Sequence, residues 1–402
     1  MTLQTDNTKP QSRFSGALLV IGILLIAANL RAPFTGIAPV LDQIINHFGL
    51  SGSQAGFITT LPLIAFAIVS PMAATFAHKQ GLEHTLFAAL ILILLGIGTR
   101  FIDSSMMLFI GTAIIGIGIA IANVLLPSLI KRDFATKVAL MTSAYVLTMG
   151  VASGGFSALV FPLSQFNGLG WQLALGSAAM LTVAGIIVWM AQLGKHTKPA
   201  RIAPLSSSSK SVWRYALAWQ ITLLLGLNSF LTYIIITWLP NILTDTGHSA
   251  TQAGAYHGAF QIATALPGLV LIPLLAKLKD QSALSFLLGV LSAISALGLL
   301  YVPHFAFAWT IMLGFCSGAC FILGLSFISL RTDDQHQAAS LSGMSQCVGY
   351  LLAAVGPMLA GAIHTTTSSW TGPLWLCVIA ALLCALCGLG GGRNTTLHKS
   401  VN

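Results

Sequence analysis

From residue 15 to residue 391 the chain alternates long apolar runs with short polar breaks. Each run approaches the ~20 mostly apolar residues that a helix needs to cross hydrocarbon. Twelve spanning helices are predicted, at 15–37, 54–77, 84–101, 105–130, 137–162, 171–193, 213–239, 250–276, 281–301, 305–329, 337–363 and 370–391. One polar connection is long. GKHTKPARIAPLSSSSKSV at 194–212 is rich in Ser, Pro and Lys and reads as a flexible linker. It divides the helices six and six. The expected architecture is an all-α membrane protein with one six-helix bundle at 15–193 and a second at 213–392, flanked by polar tails at 1–14 and 393–402.

The two halves repeat. SGSQAG at 51–56 opens helix 2 and SATQAG at 249–254 opens helix 8, each offering Ser or Thr as an N-cap. Helix 1 ends near APVL at 38–41 and helix 7 near LPNIL at 239–243. IKRD at 130–133 leaves helix 4 as LRTD at 330–333 leaves helix 10. Offsets of 198 and 200 residues indicate a parallel six-helix duplication, in which transporters place the substrate site between bundles near mid-membrane.

Composition supports lipid as the solvent. Of 402 residues 56% are hydrophobic and 7% charged, with mean hydropathy +0.88, against about 25% charged in soluble proteins. The net charge of +9 does not indicate nucleic acid, because the bases lie in short loops without interleaved aromatics. Of 18 Lys and Arg, 16 fall on the face carrying both termini, Arg100 on the other, and Arg31 inside a span. That bias predicts a multi-pass protein of a bacterial-type inner membrane, both termini cytoplasmic. The first apolar run is too long for a signal-peptide core and reads as a retained helix. The six cysteines, Cys316, Cys320, Cys347, Cys377, Cys384 and Cys387, fall in apolar runs. Cys384-x-x-Cys387 has no His or second pair nearby, so packing is expected, and no metal or cofactor.

Arg31 stands in LLIAANLRAPFTGIAP at 24–39 with no carboxylate near it in sequence. A guanidinium at the centre of a helix costs about 2.5–3.5 kcal/mol on insertion scales. Asn29, Thr35, Pro33 and Pro39 make the segment polar and irregular, which lipid tolerates only where protein or a watery cavity covers it. Arg31 therefore faces a cavity, bonds backbone carbonyls, or snorkels to the interface. In a cavity it suits a small planar anion or an electron-rich nitro or imidazole group. Further polar or aromatic residues deep in spans are Asn123, Tyr145, Asn228, Tyr233, Trp238, His257, Gln261, Gln346 and Tyr350. His257/Gln261 and Gln346/Tyr350 are spaced i, i+4 and share a helix face. Each residue is a ligand contact or interhelical glue, and Trp238 serves equally as an interfacial anchor. No Asp or Glu falls in a predicted span, which leaves His257 as the titratable candidate for proton coupling. Lys79, Lys131, Arg132 and Arg331 could form a cytoplasmic gate or act as solvated topology determinants.

LRAPFTGIAPVLDQI (30–44), NVLLPSLIKRDF (123–134), WLPNIL (238–243) and QAASLSGMSQCVGYLLAAVGP (337–357) resemble the major facilitator superfamily, and within it the CynX/NimT family of cyanate and 2-nitroimidazole transporters. The resemblance runs from about residue 15 to 392 and is nearest the nitroimidazole-exporter branch. It implies two six-helix bundles, alternating access, and a central site that includes Arg31, Tyr233, Gln346 and Tyr350. Two departures stand out. The loop after helix 2, TFAHKQGLEH at 75–84, has His78 where the family carries an acid, and GVASGG at 150–155 lacks the Pro of the exporters' glycine motif.

The expected function is secondary active transport of a small polar or planar solute, nitroimidazole-like or cyanate-like, by a functional monomer. Facilitated diffusion or exchange of small organic anions is the alternative, and a channel or non-transporting receptor the alternative of another class. The sequence has no H-E-x-x-H, no paired intramembrane Asp and no Ser/Lys or Ser/His arrangement at mid-membrane, so no enzyme is expected.

Overall fold

A computed structural model describes residues 13–168, 170–194, 212–275, 278–333 and 335–397. Most of the predicted linker (195–211), Lys277 and the outer parts of both tails lie outside the described residues. Every regular element among those described is helical.

The first span, α1, runs as a regular helix over Arg13–Asn29. It then breaks into a short turn at Ala32–Thr35, a 3-10 turn at Ala38–Val40 and a last helix at Leu41–Phe48. Pro33 and Pro39 lie in the first turns of the two middle pieces. A proline has no N–H to give to the preceding turn, so the regular ladder stops before each. Gly49, at φ +63°, ends the segment in the left-handed conformation that glycine adopts without strain. The first apolar segment thus extends to Phe48, beyond the predicted end at 37. It carries Asp42 with it, exposed on the last helical piece.

α2 spans Gly52–Gln80, α3 Leu82–Thr99, α4 Ser105–Asp133 and α5 Val138–Gln165. α6 is formed by Gly170–Gly176 and Ala178–Met190. In the second half α7 spans Ala216–Asp245, and α8 is formed by Ala250–Ala265 and Pro267–Leu275. α9 spans Ser282–Tyr301, α10 Ala306–Leu330, α11 Gln335–Thr367 and α12 Thr371–Gly391. Eleven segments among the described residues are long and apolar enough to cross a membrane, and α8, interrupted at Leu266, is the twelfth span. Ser51 with Gln54 at α2 and Ser249 with Gln252 at α8 close identical reciprocal caps, as the two SxxQ repeats predict.

Packing repeats with the sequence. α1 packs on α5 and α6, α2 on α4, and α3 on α4 and α6; α7 packs on α11 and α12, α8 on α10, and α9 on α10 and α12. These are two six-helix bundles of the same design. They meet through α2 with α11 and α5 with α8, while the 3-10 turn of α1 touches α7 and α8.

The chain direction fixes the levels at which they meet. α2 and α8 start at the face opposite the termini, and α5 and α11 finish there. Toward that face the bundles approach backbone to backbone. A Cβ added at Gly361 would stand 2.1 Å from the Gly52 carbonyl oxygen, one at Gly56 2.4 Å from that of Pro357, and one at Gly258 2.4 Å from that of Gly154. Thr59 pairs with Thr237 at 2.8 Å, Thr60 donates to the Ala354 carbonyl at 2.8 Å, and the Gly52 N–H donates to Thr365 at 3.1 Å. Trp238 is buried here, donating to the Pro357 carbonyl at 2.9 Å and packing on Trp370. It is part of this seal and not the interfacial anchor that sequence alone also allowed.

Toward the termini face, the basic residues expected as a gate bind within their own bundles. Arg132 donates to Glu83, which is 1% exposed, and to Asp133. Arg331 donates to the carbonyls of Gly391 and Gly392 and to Gln281, all in the second half. Lys79 and Lys131 are exposed. No ion pair joins the two bundles on this face among the described residues. Beside Arg331, the Ser282 backbone N–H holds the Asp280 carboxyl below its usual range.

A side chain at position 361 is expected to wedge the bundles apart on the sealed face. Gly361→Val should shift the protein away from this arrangement, read as slower alkylation of Cys347, which is exposed on α11. An unchanged alkylation rate in a folded Gly361→Val protein would show that the Gly52–Gly361 approach does not set the equilibrium.

Candidate functional site

The chain's two interface breaks meet at Arg31. It lies where α1 loses its helix, and its guanidinium Nη1 donates to Thr264 Oγ1 at 3.0 Å, two residues before the break of α8 at Leu266. Thr264 is oriented by its own donation to the Gln261 carbonyl at 2.7 Å. This contact crosses from one bundle to the other. Arg31 is half-buried, and no carboxylate lies within ion-pair distance of it among the described residues. It is close enough to Tyr233 and His257 to interact with both electrostatically. Of the roles that sequence allowed, the snorkelling one is excluded by this inward cross-bundle bond.

Two aromatic pairs cross between the bundles, the first beside Arg31. Phe34 packs on Tyr233 at 6.2 Å between centroids, and Phe66 on Tyr350 at 5.8 Å, both tilted. Tyr233 and Tyr350 pack against one small cluster with Leu63. Beyond Tyr350 lies a cavity of about 370 Å³ lined from both bundles, by Phe66, Ser70 and Asn123 on one side and Gln346, Cys347 and Tyr350 on the other. Tyr350 therefore stands between the open cavity and Tyr233 with Arg31.

The predicted residues separate into two groups. Arg31, Tyr233, Gln346, Tyr350 and Asn123 line the route or the aromatic approach to it. Gln261 and His257 are fully buried beside it and bonded to one another at 3.3 Å. Gln261 Oε1 and His257 Nδ1 are buried without a hydrogen-bond partner. Tyr145 is half-buried on α5, packed on the main core and without a hydrogen bond. Asn29 and Asn228 point elsewhere. Asn29 donates to the carbonyls of Leu25 and Leu181 and accepts from Thr182 at 2.6 Å, so it ties α1 to α6. Asn228 donates to the Ser317 carbonyl at 3.1 Å and ties α7 to α10. Both are interhelical glue, because a buried amide in lipid finds its partner in the neighbouring helix before it finds a solute.

Four participants lie outside the predicted set. Thr264 carried a signal, since it continues the His257/Gln261 face at i+7. Phe34 and Phe66 carried none among 21 phenylalanines. Arg100 carried one, as the lone base of its face. It is 4% exposed and donates to Thr112 at 3.0 Å and to the Pro33 carbonyl at 2.9 Å. Ile37 N–H bonds to Phe34 and not to Pro33, so the helix itself does not satisfy the Pro33 carbonyl. Arg100 replaces the lost donor and fixes the turn that follows Arg31.

Removing that donor should be felt as stability. A hydrogen bond to a charged group contributes about 1.5–3 kcal/mol. Arg100→Ala is expected to lower the melting temperature of the purified protein by more than Thr112→Val, which leaves the Pro33 bond in place. Equal melting of both variants and wild type would remove Arg100 from this role.

Residues 19–354 match the family model described as Major Facilitator Superfamily. Over 381 residues, 95% of this chain and 97% of the relative, the chain is 48% identical to the 2-nitroimidazole transporter of Escherichia coli (strain K12). It is 24% identical over 375 residues to the cyanate transport protein CynX of the same organism, covering 92% and 96% of the two chains. Among solved structures, the xylose transporter XylE from E. coli in an inward open conformation aligns with a TM-score of 0.73 at 15% identity, over 95% and 98% of the chains. That last likeness concerns the fold.

Proposed function

From the premise that the chain belongs to the major facilitator superfamily and is a membrane transporter, we propose that its solute is a small planar heteroaromatic of the 2-nitroimidazole kind, moved by alternating access. The observation that carries this reading is the half-buried guanidinium of Arg31, unpaired with any described carboxylate and approached through two aromatic pairs. A nitro group presents two oxygens in a plane, which a planar fork of N–H donors meets in bidentate fashion. The attached ring finds faces on Tyr233 and Tyr350. Gln346 and Asn123 supply amides that both donate and accept, which suits an azole ring carrying one nitrogen of each kind. The 48% identity to a 2-nitroimidazole transporter supports the same class.

A small anion such as cyanate is the second reading. It is favoured by the uncompensated charge of Arg31 and by the weaker likeness to a cyanate transporter. The aromatic approach distinguishes the two, because a three-atom anion gains little from ring faces.

In this reading the arrangement is closed on the face opposite the termini and loads or releases on the termini face. The basic bias places that face in the cytoplasm of a bacterial-type cell. One chain supplies both walls of the route, so the functional unit is the monomer.

Solute counterflow in proteoliposomes tests the assignment. Arg31→Ala and Arg31→Lys should each reduce 2-nitroimidazole counterflow at least tenfold with normal membrane insertion, and Tyr350→Ala should raise the half-saturating concentration. Cyanate that competes equally in wild type and Tyr350→Ala, with no saturable nitroimidazole flux, would move the assignment to the anion. His257→Gln separates a coupling role from a packing role, since only loss of coupling changes pH-gradient-driven accumulation while counterflow persists.

A further inference from the structure

The sealed face holds a carboxylate that bridges the bundles. Asp42, on the last piece of α1, accepts a hydrogen bond from Asn241 Nδ2 on α7. Asp42 is exposed, whereas Asn241 is 6% exposed and its Oδ1 has no partner. Asp245, one turn beyond Asn241, is near enough to interact with Asp42 electrostatically, as is His364 of α11. Asp245 itself accepts from Trp370 at 2.7 Å and lies 3.6 Å from His364, whose ring stacks on Trp370 at 3.9 Å. On the other side of the α1 tail, His47 pairs with Asp103 at 2.6 Å and Gln43 donates to Ser164 at 2.9 Å.

We propose that Asp42 is a proton-binding site of the transport cycle, and that the proton it takes up closes the Asp42–Asn241 latch between the bundles. The chemistry lies in the unmatched amide. An ionised Asp42 can only accept, so it engages Nδ2 and leaves the buried Oδ1 unmet. A protonated Asp42 accepts from Nδ2 and donates to Oδ1, completing both bonds of a carboxylic acid–amide pair. An unmade bond at a buried acceptor opposes burial, so the closed latch holds the proton. When the bundles part on this face, Asn241 Oδ1 reaches water and the requirement ends. Asp42 is exposed toward the face opposite the termini, so the proton comes from that side while the cavity beside Tyr350 is open to the other. The ligand is the proton itself; the site neither requires nor excludes a particular solute. It rests on the transporter reading and not on the identity of the cargo.

A solute-free distance measurement tests it. Spin labels go on Asn46→Cys and Thr366→Cys, exposed positions of the two bundles on this face, in a Cys347→Ser, Cys387→Ser background. Lowering the pH from 8 to 5.5 should raise the short-distance population of the wild-type latch at least threefold. Asp42→Asn, whose amide both donates and accepts, should show the short distance at both pH values. Asp42→Ala should show neither the response nor the closure. In proteoliposomes Asp42→Asn should keep counterflow and lose its dependence on the pH of the solution facing the sealed side. A pH response that persists in Asp42→Asn, or a wild type without one, overturns the proposal; persistence that disappears on adding Asp245→Asn, His364→Gln or His257→Gln would assign the titration to that group instead. Failure of the nitroimidazole reading would leave the distance result untouched.

Discussion

A backbone that leaves the helix inside a membrane must satisfy its hydrogen bonds with protein groups, since hydrocarbon offers none. That constraint governs α1, on which the rest of the site depends. Its ladder stops at Asn29 and resumes only in short pieces to Phe48. The Arg31 carbonyl is taken by the N–H groups of Phe34 and Thr35 and by the Thr35 hydroxyl. The Pro33 carbonyl is taken by Arg100 from α3. Thr35 also pairs with Ser153 of α5 at 2.8 Å. The break is therefore held from two neighbouring helices. A guanidinium on such a break has its direction set by the fold, and here that direction is across the bundle interface to Thr264.

The same economy of volume explains why the route opens on only one face. Where α2 meets α11 and α5 meets α8 near the sealed end, glycines face carbonyls, and backbones touch without side chains between them. Small residues at helix contacts supply packing that lipid cannot undercut, because apolar side chains gain little by leaving lipid for one another. Nearer the termini the facing positions carry Phe66, Ser70, Gln346 and Cys347, too bulky or too polar for such contact, and the walls stand apart around the cavity. The inner-face arginines do not pull them together. Arg132 and Arg331, neighbouring positions of the repeat, each tie the ends of their own bundle.

Much of this was legible in the chain, and particular residues show where legibility ended. The span count, the repeat and its caps followed from hydropathy and from Ser51 and Ser249, because these signals are local. Arg31 was legible because a charge in hydrocarbon demands a reason. Asn29 and Asn228, site candidates by sequence, bond neighbouring helices instead, since helical periodicity gives a face but not the identity of the helix it meets. The sequence ends the first span at 37 because Pro33 and Pro39 interrupt the helical pattern. The broken segment continues past both, since a short turn at each proline is followed by further helix up to Phe48. Phe34 and Phe66 are indistinguishable in sequence from phenylalanines that face lipid.

Arg31 and Asp42 belong to one segment, eleven positions apart, and that linkage has a mechanical consequence. The tail of α1 touches α7 through Asp42–Asn241 and α8 through Arg31–Thr264. Any rotation that parts the bundles on the sealed face must lengthen the first contact and shift the second, because the pieces between them are anchored by Arg100 and Ser153. A group that takes the place of Thr264 at the guanidinium therefore acts on the same rigid piece as a proton arriving at Asp42. Two ligands that bias one two-state element influence each other's binding without meeting. The break in α1 thus makes a charge tolerable in the membrane and also puts the proposed solute and proton sites on a single lever.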